Sequence, residues 1–541
     1  MKRILLYTTI LCSVMFSSCE SELDSRHYDP DGFTDAKIEY LFSRGLVRTI
    51  ENDYGDYWNY VFRLFGTYTQ TLSREAGSSR VNVYTIQSDN GRWENYYVKR
   101  MQELVEMDKI YNYRLSDSEK VNYTPFMETA KILKAYNTAL ATDYFGAMPY
   151  SEAWGARNAV YGQPVNLTPK YDSQKDIYYA ILADLESAAS YLKTATLDAN
   201  NVLHTSFRTQ DIMYGGDLKK WYKFANSLRL RYAMRISEVD SEKTQEVLRG
   251  LSMDDLIVSN VDNAYTYSKN TTNTGIWRAL VESQDKDNGY AFAPELMTGL
   301  LKEAKDPRLV VLFQPASNEL GIIYDKTKEI IAYPSSASGA LDIMNTTTAV
   351  ERRLTYGVVN TVTFRNNYNL PYGVGITAAD VYLLLAEAKY RNLISWGSST
   401  EELYNAGVIL SVQEYYNYYK NSTATNLKDA DIAATNVSDA TLKIWLNGSS
   451  FKFNTAKALE QIATQKWINF GILEPFECWA EYRRTDLPIL IDDIESGTLL
   501  NKGNAPVRFL YPANEASMNS ENFQTVVDQN YTNKKVWWDV K

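Results

Sequence analysis

Histidine is almost missing from this chain of 541 residues: there are 2, His27 and His204. That scarcity excludes most zinc sites, Ser-His-Asp triads and Cys-His nucleophile pairs together. Cysteine is nearly as rare, at 3. Cys12 lies inside an apolar leader, Cys19 at its edge and Cys478 alone, so the mature chain has no internal disulfide to make. Beyond the leader no apolar run is long enough to span a bilayer. Positive charge is in deficit as well. A net charge of −10 argues against nucleic acid or any other polyanion as a partner. No G-x-S-x-G elbow, Walker loop, HExxH helix or EF-hand spacing occurs, so the sequence names no catalytic residue, no metal ligand and no cofactor.

What the chain does have is apolar matter and tyrosine. Hydrophobic residues make up 45% and charged residues 23%, the stock of an ordinary globular body. Tyr stands at 42 against Phe at 18, with Trp at 11. Phe fills cores, whereas Tyr and Trp join an apolar face to a polar handle and favour interfaces and clefts. Most of these tyrosines are expected to be half-buried helix residues.

The N-terminus reads as an address. Lys2-Arg3 are a basic start, Ile4 to Phe16 an apolar segment of signal-peptide length, and Ser17-Ser18 the small residues a signal peptidase requires. Cys19 follows directly, in the manner of a bacterial lipobox, although Phe16 stands where that pattern usually has leucine. An acylated Cys19 would open the mature protein, and several acyl chains anchor stably where one holds weakly. The next residues, Glu20 to Asp24, resemble the acidic signal that sends some lipoproteins to the exterior face of an outer membrane. Residues 1–18 are therefore expected to be a lipoprotein signal peptide. Residues 19–33, with Pro30 and Gly32, form a lipid-anchored flexible tether reaching roughly 50 Å. Residues 34–541 form the body.

Helical periodicity dominates that body. Thr34 is placed to cap a first helix, and Phe126, Ala130, Leu133, Tyr136 and Leu140 share one face of a later one. The same rule groups Tyr178, Ile181, Leu182, Leu185, Ala189 and Leu192, then Trp221, Phe224, Ala225, Leu228 and Tyr232. Thr377 and Asp380 form a possible capping box ahead of Val381, Leu384, Leu385 and Ala388. Such stripes must bury against one another, which makes the fold class mainly α, with stacked helix pairs. From about 251 to 376 Gly, Asn, Ser and Pro break up short apolar runs such as LVVLFQP, GIIYD and TVTF. This middle region reads as loops with short strands, the kind of segment where binding tends to reside.

Individual motifs mostly resolve to structure. GVGITA, Gly373 to Ala378, has the spacing of a dinucleotide loop, but no clean strand precedes it and no acid follows about 20 residues on, so it reads as the approach to a capped helix. The carboxylates Glu152, Glu387, Glu477, Glu481 and Asp486 are expected to be solvated or paired to arginines such as Arg483 and Arg484. Arg229, Arg231 and Arg235 are expected in structural ion pairs, and Trp221 and Trp479 in the core.

Taken in order, YTPFMETAKILKAYNTALATDYFGAMPYSEAW, YGGDLKKWYKFANSLRLRYAMRIS, DPRL, ITAADVYLLLAEAKYR and ALEQIATQKWINF…ECWAEYRRTDLP resemble the SusD/RagB-like outer-membrane lipoproteins of the Bacteroidetes. The resemblance covers nearly the whole mature chain. It implies a single large α-rich fold of tetratricopeptide-like helix pairs, although no clean repeat of about 34 residues is visible. It also implies a lid over a SusC-type TonB-dependent transporter, capturing oligosaccharides or in some members peptides at the cell surface, without catalysis.

The resemblance does not supply ligand residues; the chemistry of sugars does. Sugars present C–H faces to aromatic rings and hydroxyls to amides, carboxylates and guanidinium groups. VNVYTIQSDNGRW offers Tyr84 and Trp93, and NTGIWRALVESQDKDNGY offers Trp277 and Tyr290 with Asn273 and Arg278 beside them. These six are the candidate ligand-binding residues, read as exposed aromatics with polar escorts. A peptide-binding lid, a surface glycoside hydrolase and a solute-free structural partner are the competing readings.

Overall fold

The computed structural model describes residues 36–50, 54–73, 90–267, 292–316, 328–365, 367–425, 427–491 and 505–541. The apolar stripes fold as their spacing dictates. Eleven helices carry the body: α1 (Ile38–Ile50), α2 (Gln102–Tyr113), α3 (Asp117–Phe145), α4 (Gln174–Leu192), α5 (Val202–Gln210), α6 (Leu218–Arg235), α7 (Ala378–Tyr390), α8 (Thr400–Lys420), α9 (Asp439–Gly448), α10 (Ala458–Phe470) and α11 (Pro475–Thr485). Thr34, expected to cap the first of them, lies outside the described residues.

The longest helix, α3, starts a full two turns before Pro125. Ser116 and Glu119 cap it reciprocally, the Ser116 N–H donating to Glu119 Oε2 at 2.8 Å. Pro125 therefore sits inside the helix and removes the bond to the Val121 carbonyl. Val121 is exposed, so water can take up that carbonyl. At the other end Gly146 holds a left-handed φ of 73°, which turns the chain toward Pro149 as a side chain rarely could.

The helices pack in sequence around a closed circuit. α1 lies on α2, α3 and α5; α4 bridges α3 and α6; α6 meets α7; α7 packs on α8 and α10; and α10 meets α11. α11 then returns to the front of the chain, packing on a π-helical segment, Asp56–Phe65. An aromatic cluster welds this closure, with Phe65 and Trp479 at 5.1 Å and Tyr144 and Phe509 at 5.3 Å between ring centres. Trp221 and Trp479 are fully enclosed, as their sequence setting implies.

Beside the apolar core runs a seam of buried charge. Arg231 on α6 donates to Asp380 on α7 at 2.7 Å and to Glu474 ahead of α11 at 3.1 Å. One turn on, Arg235 donates to Asp143 on α3 at 2.6 Å and also pairs with Glu477. Arg484 grips Glu387 at 2.6 Å and Glu481 at 2.8 Å, and Lys466 joins the same two acids at 3.1 and 2.8 Å. Burial alone would raise Glu387 and Glu481, but Arg484 and Lys466 outweigh it and hold both well below the usual carboxylate range. The seam joins α3, α6, α7, α10 and α11, so it fixes how distant helices meet. Asp380 is committed to Arg231 rather than to a reciprocal box, leaving Thr377 to cap α7 alone.

Strands are few and short among the described residues: β1 (Met148–Pro149) with β2 (Tyr171–Asp172), β3 (Tyr265–Thr266) with β6 (Gly373–Val374), and β4 (Phe313–Gln314) with β5 (Val358–Val359), all antiparallel. The middle region is more helical than its texture suggests. Glu295–Glu303, Ala337–Thr346 and Ala349–Thr355 are helices there, the last opened by a Thr348–Glu351 capping box. TVTF, expected as a strand, begins a π-helical turn, Thr361–Arg365, because Asn360 Oδ1 accepts the N–H groups of Val362 and Thr363 at 2.9 and 3.0 Å.

Candidate ligand-binding site

A small satellite core lies apart from the main one. Phe292, Tyr333, Ala340 and Val358 form it, with Phe292 and Tyr333 stacked at 4.6 Å and 13°. The backbone explains the stacking. Phe292 bridges antiparallel to both Ser73 and Val358, and Pro294 bridges parallel to Tyr333. The Ser73 N–H donates to the Phe292 carbonyl at 3.2 Å, and the Phe292 N–H donates to the Ser73 carbonyl at 3.0 Å. Ala293 N–H donates to Gly357 O at 2.9 Å, and Gly357 N–H to Ile331 O at 2.8 Å. Gly357 is required for this approach, since a Cβ there would meet Ile330 Cγ2 at 2.8 Å.

This patch is where the undescribed stretches take root. Ser73 precedes residues 74–89, which hold Tyr84, and Phe292 follows residues 268–291, which hold Asn273, Trp277, Arg278 and Tyr290. The stretch 317–327 runs from the neighbourhood of β4 to that of Ile331. Ile491, just before 492–504, is held by Gln70, whose Nε2 donates to its carbonyl at 2.7 Å and whose Oε1 accepts its N–H at 3.1 Å. Two segments distant in sequence, each singled out for aromatic and polar residues, are thus tied at neighbouring roots.

Of the six candidate ligand residues, Trp93 is described. Tyr84, Asn273, Trp277, Arg278 and Tyr290 lie outside the described residues, as does Cys19. Trp93 is not exposed. It sits on the helical turn Asn90–Glu94, 9% accessible, edge-on to Phe145 at 5.1 Å and to Tyr511 at 5.9 Å. The indole turns in, where its large apolar area is better buried, and the adjacent Arg92 is buried with it. Tyr333 is likewise enclosed rather than displayed.

The neighbour of Trp93 shows what holds the far root of 74–89. Arg92 donates to Asp56 at 2.5 Å and lies 3.4 Å over the Tyr60 ring, so this end of the segment is clamped onto the π-helical segment. On that segment's leading edge Tyr54 and Trp58 stack at 6.1 Å and 16°, both half-buried. Tyr267, the last described residue before 268–291, leaves 47% of its surface open. Sequence reading passed over these three. The signals were the i, i+4 aromatic pair in DYGDYWNY and the alternation in AYTYSKN.

The polar candidates resolve otherwise. Glu152 is exposed and accepts from Asn166 Nδ2 at 3.0 Å and Lys170 N–H at 3.1 Å. Glu387, Glu477 and Glu481 belong to the buried seam, and Arg229 donates to Glu186 at 2.8 Å. The GVGITA segment supplies β6, and its Gly375 carbonyl accepts from Arg231 at 2.8 Å, a packing role. A cavity of about 30 Å³ beside Tyr136, Asp143, Tyr144, Glu474 and Arg483 admits one or two waters and no sugar. Among the described residues no group of three or more His, Cys, Asp or Glu is placed to hold a metal ion. Nor, among them, is any helix long and apolar enough to cross a membrane.

Comparison with known proteins agrees with this architecture. A family model described as SusD-like, starch-binding and associating with the outer membrane matches residues 35–512. No curated protein matches the chain. A SusD homologue from Bacteroides fragilis superposes with a TM-score of 0.73 at 20% identity, over 93% of this chain and 100% of its own. A chitin-binding protein gives 0.70 at 24%, over 93% and 100%. A chitin-binding SusD homologue from Flavobacterium johnsoniae gives 0.68 at 21%, over 93% and 99%.

Proposed function

We propose a function from one premise: this chain belongs to the SusD/RagB-like family, whose members are carbohydrate-binding proteins associated with the outer membrane. On this reading the protein is a surface lipoprotein, tethered by acylated Cys19, that captures an oligosaccharide and hands it to a SusC-type TonB-dependent transporter as that transporter's lid. It binds and does not cleave. Tyr84, Asn273, Trp277, Arg278 and Tyr290 are the ligand contacts, Tyr267 and the Tyr54–Trp58 pair are further candidate rings, and buried Trp93 has a packing role.

One observation carries this reading. The Ser73–Phe292 pairing joins one end of each of the two segments that hold the candidate rings and amides, which supports a single ligand served by both. Two structural neighbours that bind chitin favour a glycan over a peptide.

The test is titration calorimetry of residues 20–541 against a glycan panel. Saturable heat from at least one oligosaccharide, with no product released, is expected, and Trp277→Ala should weaken it about tenfold or more, the loss of one stacked ring. Heat from peptides alone overturns the ligand assignment, and sugar release from a polysaccharide overturns the non-catalytic role. Labelled palmitate should enter the wild type and not Cys19→Ala.

A further inference from the structure

A second groove lies on the helical body, formed by α7, α8 and α9, none of which roots the segments described above. α8 presents Glu401, Asn405, Ile409 and Gln413 at four-residue spacing, one row of a helix face. α9 answers with Asp439, Lys443 and Asn447 at the same spacing. The two helices are pinned at both ends. Gln413 Nε2 donates to Asp439 Oδ1 at 2.8 Å, and Tyr404 Oη donates to the Phe451 carbonyl at 2.9 Å. Between the pins the rows enclose about 580 Å³ over roughly 12 Å of helix. Small-ligand sites span about 300–1,000 Å³, so the space suits a bound molecule and far exceeds a few waters.

The chemistry of the walls narrows the ligand. The floor is aliphatic, from Val258, Ala406, Ile409 and Leu410, and Tyr382 of α7 adds a half-buried ring. Around it the side chains of Asn405, Lys443, Asn447 and Tyr382 make no hydrogen bond or ion pair with any described residue. That leaves two carboxamides, an ammonium and a phenol free on one groove. Carboxamides offer donor and acceptor together, as a row of hydroxyls requires. Glu401 and Asp439 outnumber Lys443, which disfavours anions.

We propose that this groove is a second saccharide-binding site, for an uncharged, hydroxyl-rich stretch of two or three sugar units. It rests on the saccharide reading above and extends it: a long glycan held at two places on one body is retained through effective concentration rather than through a stronger single contact.

Calorimetry with chitohexaose, maltohexaose and cellohexaose decides the matter on three proteins: the wild type, Asn405→Ala/Lys443→Ala/Asn447→Ala, and Trp277→Ala/Tyr290→Ala. All the altered groove residues are partly or fully exposed, and far-UV circular dichroism checks that the fold is kept. The wild type is expected to bind two equivalents of short glycan, and the groove variant one. If the groove variant keeps both equivalents at unchanged affinity, the second site is overturned and the loop site stands. If the loop variant keeps all binding and the groove variant loses it, the groove stands and the loop assignment falls. Absence of saccharide heat from the wild type overturns both. Displacement of bound glycan from the groove by an uncharged Ala-Ser peptide, more tightly than by any sugar, overturns the saccharide as occupant.

Discussion

The helical seam and the loop-bearing patch hold themselves together by opposite means. In the seam, side chains from five helices meet in buried ion pairs; at the patch, the backbone bonds between Ser73, Phe292, Gly357 and Ile331 do the joining, over a satellite core of four buried residues. Buried charges tolerate little change in partner or distance, because an unpaired one costs several kcal/mol. Backbone pairing, Gly357 apart, depends little on side-chain identity. The seam therefore holds the body to one geometry while the patch accepts many loop sequences on one root, a division suited to a binding protein.

The sharpest way to break that contrast is at Arg484. Arg484→Ala removes the guanidinium that grips both Glu387 and Glu481, leaving Lys466 shared between them with Arg391 beside the first and Arg235 beside the second, and should cost about 3–5 kcal/mol in urea unfolding monitored by circular dichroism. Both acids are held below their unfolded values. Their contribution is therefore fully present above about pH 4.5 and lost as pH falls toward their depressed native values. A loss under 1 kcal/mol at pH 7 would mean the seam is not what fixes the helices.

Glu414 gives the opposite sign. It accepts from Tyr265 at 3.1 Å but has no cationic partner among the described residues, and burial pushes it up to about 7. Its native form binds the proton more tightly than the unfolded chain does, so stability falls as pH rises from about 4.5 through 7. Glu414→Gln should therefore stabilise the protein by about 1–3 kcal/mol at pH 8 and change little at pH 4.5, read from thermal melts across that range. An equal effect at both values would refute the assignment.

The smallest expected effect on stability, and the most specific on function, is at the patch. Ser73→Pro removes the N–H given to Phe292. Glycan affinity should fall about tenfold while the melting temperature moves by only a few degrees. Unchanged affinity would show that the shared root does not position the ligand residues.

Much of the body was legible in the sequence because amphipathic helices announce themselves. The faces built on Phe126, Tyr178, Trp221 and Val381 are the buried faces observed. The pairings of Arg229, Arg231, Arg235 and Arg484 were foreseen in kind but not in partner, since nothing local links Arg484 to Glu387 across 97 residues, whereas Arg483, expected to pair with an acid, donates instead to the carbonyls of Asp143 and Val507. The start of α3 was not read from the sequence; the Ser116–Glu119 capping box sets it two turns ahead of Pro125. TVTF has strand composition, yet Asn360 wins through two side-chain bonds. Trp93 has polar neighbours, but direction on a helical turn is set by what packs behind it. Ser73 and Phe292 carry no pattern at all; their pairing is a tertiary fact.

Asp143 shows how a distant residue can govern the middle of the body. Burial raises this carboxyl, and it is compensated by Arg235, by Tyr178 Oη at 2.6 Å and by Trp538 Nε1 at 2.8 Å, the last of these 395 residues downstream. Loss of that indole would therefore be felt as a loosened interior at α3 and α6 rather than as a frayed edge.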